Sequence, residues 1–105
     1  MQVTAWNNGK HHATGAGYGL KIGKDDRDRF FQKSWGSVLI TLPGVGKEVE
    51  LNINKVSFWN DSCRELISKD IGRWLIGRNY APWPLGQPPS FNLHKKQGNH
   101  FELCE

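Results

Sequence analysis

The feature that most limits how this chain can fold is the stretch 48–54. Here Val49, Leu51 and Ile53 alternate with Glu48, Glu50, Asn52 and Asn54. A period of two puts the three aliphatic side chains on one face of a β-strand and the polar ones on the other. Just upstream, Val38, Leu39, Ile40 and Leu42 form a nearly continuous apolar run, the pattern of a central strand. Between the two lies Leu42-Pro43-Gly44-Val45-Gly46-Lys47, a turn by its Pro-Gly pair and its second glycine. The two strands therefore read as a hairpin.

Other segments extend the strand-rich pattern. Residues 1–16 are polar and glycine-rich, with His11 and His12 inside, and read as an N-terminal arm or a loosely held first strand. A single domain then occupies residues 17–105. Tyr18, Leu20 and Ile22 alternate with Gly19, Lys21 and Gly23, which is a half-buried strand. Residues 24–35 read as a short helix ending near Gly36. Asp25, Asp26 and Asp28 sit at its start, where the helix dipole favours acids, and Phe31 and Trp35 are four apart. Ser68 can cap a second helix through Ile71, Trp74 and Leu75, stopped by Gly77 or Asn79. Pro82, Pro84, Pro88 and Pro89 forbid helix and central strand, leaving an extended connection anchored by Trp83. Residues 90–93 and 100–103 form a closing hairpin around Gln97, Gly98 and Asn99. Residues 61–67 leave two options. One is a loop and a short strand before the helix. The other is one long helix, because Cys63, Leu66, Ile67, Ile71, Trp74 and Leu75 fit one helical face. Hairpins separated by two short helices imply a strand-rich α+β open barrel rather than a doubly wound sheet.

A length of 105 residues fits one domain with a real core. The net charge is +4 and the isoelectric point about 9.3, a mildly basic balance that permits nucleic-acid binding. No apolar run reaches the roughly 18 residues of a membrane span. The first residues carry neither a basic segment nor an apolar core, so no secretory leader is expected. With only Cys63 and Cys104, reduced thiols in a cytoplasmic protein are the expectation. A polar segment set between two aromatics and the start of an apolar run follows the alternating strand. It runs Ser57-Phe58-Trp59-Asn60-Asp61-Ser62-Cys63-Arg64 and is built to contact a polar partner.

At this point the order of elements resembles the DNA-binding pseudobarrel family. That family includes the DNA-binding domains of plant auxin-response and abscisic-acid-type transcription factors and the effector domains of some restriction endonucleases. Leu20-Lys21-Ile22-Gly23-Lys24 with the helix after it is similar to the family's strand-then-helix start. Val49, Leu51 and Ile53 followed by Phe58-Trp59-Asn60-Asp61-Ser62 are similar to its strand and aromatic-polar arm. Phe91-Asn92-Leu93 and Phe101-Glu102-Leu103 resemble its closing strands. The likeness covers roughly residues 17–103 and implies two arms that grip the major groove of duplex DNA. Carried over, the first arm is Lys21, Lys24, Arg27 and Arg29. The second is Lys55, Ser57, Trp59, Asn60, Ser62 and Arg64. The chain departs from the pattern in Asp25, Asp26 and Asp28, which set negative charge beside the first arm, and in its proline-rich segment. Lys21, Lys24 and Lys55 suit phosphates, whereas Asn60 and Arg64 suit base edges.

No catalytic set, cofactor or metal site is expected. Adjacent histidines on a strand point to opposite faces, and the cysteines lack paired zinc spacing. Two other functions stay open. A small ribonuclease could pair His11 or His12 with His100 as acid and base. A protein-interaction module could dock through the strip around Trp83. Trp35, Trp74 and Trp83 read as core or lid aromatics, and Trp6 and Trp59 as exposed.

Overall fold

The computed structural model describes residues 1–61 and 63–105. Seven strands form one sheet in the order β4-β3-β7-β6-β1-β2-β5. They are β1 (Gln2–Asn7), β2 (Tyr18–Lys21), β3 (Ser37–Leu42), β4 (Lys47–Asn52), β5 (Glu65–Ile67), β6 (Ser90–Lys95) and β7 (His100–Cys104). The sheet curls so that its edge strands β4 and β5 approach each other, giving a strand-rich α+β open barrel. All pairings are antiparallel except β3 with β7, which run parallel with Ile40 opposite Phe101.

The alternation is realised as it reads. In β4, Val49 and Leu51 are buried while Glu48, Glu50 and Asn52 are exposed, and Ile53 continues inward. In β3, Val38, Ile40 and Leu42 are buried, and the strand lies between β4 and β7. Phe91, Leu93, Phe101 and Leu103 supply the same face from the closing hairpin. Two aromatic clusters fill the interior. Phe31 stacks on Phe101 at 4.8 Å and meets Phe58 edge-on at 5.4 Å. Trp74, Tyr80 and Phe91 form the other.

Of the two options for the N-terminal segment, the first strand forms: residues 2–7 are β1, hydrogen-bonded to β6 on one side and β2 on the other. Their buried pair, Val3 and Ala5, reads weakly among polar neighbours, and two partner strands hold the segment instead. The helix expected over 24–35 is split. It becomes α1 (Lys24–Phe30) and a single 3₁₀ turn at Lys33–Trp35, with Phe31 and Gln32 extended between them. That break lets Phe31 turn into the core. Among the described residues there are three short α-helices, not two, the extra one being α2 (Val56–Trp59).

The long-helix alternative over 61–75 does not form. Residues 65–67 pair with β2 as β5, and α3 (Lys69–Gly77) begins at Ser68, whose Oγ accepts from Asp70 N at 3.1 Å. Asn79, at φ 64°, takes the left-handed conformation that ends it. Trp83 meets His11 and Tyr18 edge-on at 4.8 and 5.7 Å, which pins the proline-rich segment against β2. Cys63 and Cys104 are free thiols. No described helix is long and apolar enough to cross a membrane.

Candidate nucleic-acid interface

The two arms drawn from sequence are not separate. α1 and the segment around α2 lie against each other, and Arg27 joins them. Its side chain is only 5% exposed. Nη1 donates to the carbonyls of Phe58 (3.0 Å) and Asn60 (2.7 Å). Nε and Nη2 donate to Asp28 Oδ1 at 3.0 and 2.8 Å. The guanidinium carbon also sits 5.6 Å from the centre of the Trp59 ring. Arg27, carried over as part of the first DNA-contacting arm, is thus turned inward rather than presented at the surface. A buried guanidinium bonded in this way is a brace between elements, because withdrawing it would strand two carbonyls.

Other candidates divide in the same way. Lys24 Nζ pairs with Asp61 Oδ1 at 3.1 Å across the seam. The Lys24 hydrogen bond, then its charge, holds the Asp61 carboxyl below its ordinary value, and the charges of Arg27 and Arg64 add to the effect. Arg64 is half-buried. Its Nε donates to Ile22 O (2.9 Å) and its Nη1 to Asp61 O (2.7 Å). Lys55 Nζ donates to Glu65 O (3.0 Å), tying the end of β4 to the edge of β5. Asn60 Oδ1 accepts from Cys63 N at 3.3 Å and holds the loop's turn. Ser57 is half-exposed. Lys21 and Arg29 are exposed, with Arg29 lying 5.3 Å over the Phe30 ring. The expectation for Ser62 lies outside the described residues.

Trp59, read as exposed, is half-buried. Its Nε1–H donates to Ile53 O at 2.8 Å, which fixes the plane of the indole. Beside it opens a shallow groove of about 400 Å³, lined by Lys33, Asn54, Lys55, Val56, Trp59 and Asn60. Sequence reasoning missed Lys33, whose Nζ is 5.9 Å from the Trp59 ring centre. No spacing rule joins Lys33 to Trp59. The break after α1 sets that distance.

Two of the histidines, His11 and His100, are engaged elsewhere. His11 Nε2 faces the Asn7 amide at 2.8 Å and Nδ1 faces Tyr18 Oη at 2.7 Å. His100 Nδ1 meets Glu48 Oε2 at 3.0 Å. Among the described residues no group of three or more His, Cys, Asp or Glu side chains could hold a metal ion. Fold and surface together define a small α+β open-barrel protein. Its two cation-bearing segments are welded into one ridge beside a tryptophan-lined groove. No protein-family model, curated protein or solved structure matches the chain.

Proposed function

We propose that the protein is a non-catalytic DNA-binding domain that docks on duplex DNA through this ridge. The observation that carries the reading is the welded seam. Segments far apart in sequence, α1 and residues 55–61, are joined by the Arg27 bonds to the Phe58 and Asn60 carbonyls and by the Lys24–Asp61 pair. A rigid scaffold under exposed cations lowers the ordering cost of binding a regular polyanion. Asp28 and Asp61 face Arg27 and Lys24. Lys21, Arg29 and Lys33 remain exposed without an ion pair among the described residues, and they suit phosphate oxygens. Lys24 can exchange Asp61 for a phosphate. Ser57, Asn60 and Arg64, with Trp59, face the bases in this reading, while Arg27 holds the surface together.

The test is a titration against duplex DNA, single-stranded DNA and RNA of matched length at two salt concentrations. Duplex DNA is expected to bind most tightly and to lose affinity as salt rises. Equal binding to all three polymers, or none to any, contradicts the reading.

A further inference from the structure

The ridge accounts for the exposed cations but not for the groove beside it. That groove joins two cations to two features, a fixed indole and a carboxamide, that a phosphate-binding surface alone does not need. Its wall is an indole held in one plane by the Trp59 Nε1–H bond to Ile53 O. Lys33 and Lys55 line it and no acidic side chain does. The Asn54 backbone N–H is already held by Asn52 Oδ1 and Gly36 O, which fixes the residue, while its carboxamide takes no protein partner among the described residues.

We infer that this groove receives one unpaired nucleotide of the bound DNA, its base on Trp59 and its phosphate between Lys33 and Lys55. The inference rests on the duplex-DNA reading above. A flat π surface with nearby cations is the arrangement on which nucleobases stack, irrespective of base identity. Lys55 uses one of its three N–H donors on Glu65 O and keeps two for an anion. An Asn carboxamide presents a donor and an acceptor together, as a base edge does. The volume of about 400 Å³ falls in the lower part of the range for small-molecule clefts, roughly 300–1,000 Å³. It admits one base with its phosphate and not a stacked run. A fully paired duplex keeps its bases out of such a groove. A bulged or flipped nucleotide does not, because its unstacking is already done.

The experiment compares three labelled duplexes by anisotropy: fully paired, carrying one bulged nucleotide, and carrying the same bulge with its base removed. The bulged duplex is expected to bind about tenfold tighter than the paired one, the effect of one base stacked on an aromatic ring. Removing the base should abolish that gain. Trp59→Phe should reduce it and Asn54→Ala and Lys33→Ala should each lower it several-fold, with binding of the paired duplex little changed by Asn54→Ala. If the paired duplex binds and the bulge confers no gain, or the gain survives loss of the base, the groove inference is overturned and the ridge reading stands. If no duplex binds at all, both fail. The abasic comparison uses the unaltered protein, so it decides the matter even where a variant folds poorly.

Discussion

Arg27 lies in the last turn of a seven-residue helix between two aspartates, Arg29 between Asp28 and Phe30, and neither setting signals burial. The difference lies in acceptors that leave no trace of residue type. They are backbone carbonyls 31 and 33 positions away. For that reason an exposed and a buried arginine two residues apart were indistinguishable in the sequence. Arg27→Ala is expected to destabilise the fold by roughly 2–4 kcal/mol. One buried and one half-buried carbonyl would lose their donor, at about 1–3 kcal/mol each. Arg27→Lys should recover only part, since one ammonium cannot span the fork that a guanidinium does. Urea unfolding of the two variants measures both, and a loss below about 0.5 kcal/mol for Arg27→Ala, the size of an ordinary surface substitution, would refute the bracing role. Asp61 makes a second residue-scale prediction. Its carboxyl is held below the ordinary value first by the Lys24 hydrogen bond, and Asp70 is lowered in the same way by Lys47. A lowered pKa in the folded state means that the unfolded chain binds the proton more tightly. These pairs therefore stabilise the fold above the ordinary carboxylate pKa, near 3.8, and lose that effect as pH falls through the lower folded values. Asp61→Asn with Asp70→Asn should flatten the acid limb of melting temperature against pH. An unchanged limb would show that other carboxyls control it.

Among elements, α3 shows where local preference and packing oppose each other. Gly72 stands inside the helix, where alanine would be preferred by about 1 kcal/mol on intrinsic propensity. Yet a Cβ there would strike the carbonyl of Gly15. Gly15 must itself be glycine, because its φ is +87° and a Cβ on it would lie 2.7 Å from the Lys69 carbonyl oxygen. The chain between β1 and β2 thus crosses α3 backbone to backbone. Overpacking at such a crossing costs typically about 1–3 kcal/mol, so Gly72→Ala should destabilise on balance despite its helix preference. A thermal melt decides the sign, and a stabilised variant would mean that the two backbones do not touch. Gly77, further along the same helix with open space around it, is the control expected to tolerate alanine better. The same contrast explains what was legible. β2, β4 and the closing hairpin could be read from alternation and β3 from its apolar run, because such patterns record burial directly. The Ser68 cap was legible because its chemistry is local. β1 was legible only as one of two options, since only Val3 and Ala5 are buried and one of its partners lies at the far end of the chain. α2, a four-residue helix that brings Phe58 inward and Trp59 over Arg27, was not legible.

For the molecule as a whole, the gap in the barrel and the candidate site are one feature. β4 and β5 do not pair as strands. The segment between them fills the gap, with the indole of Trp59 on Ile53 O and the ammonium of Lys55 on Glu65 O. A side-chain donor on an edge carbonyl blunts an exposed strand edge, and a charged one also resists pairing with another chain. The groove lies on this same segment, so barrel closure orients the residues assigned here to DNA. Of the site, the sequence disclosed the two segments but not their union, because cross-braces between distant backbones have no spacing signature. The central claim is that exposed cations of the joined ridge meet DNA phosphates. The most direct measurement is the logarithm of duplex affinity against the logarithm of salt concentration, for the natural chain and for Lys21→Ala with Arg29→Ala. Both side chains are exposed and neither braces the fold. With circular dichroism unchanged, the double variant should show a slope shallower by about two units, at ~0.9 for each phosphate no longer neutralised. A slope unchanged in the folded variant, or duplex affinity indifferent to salt in the natural chain, would contradict the account.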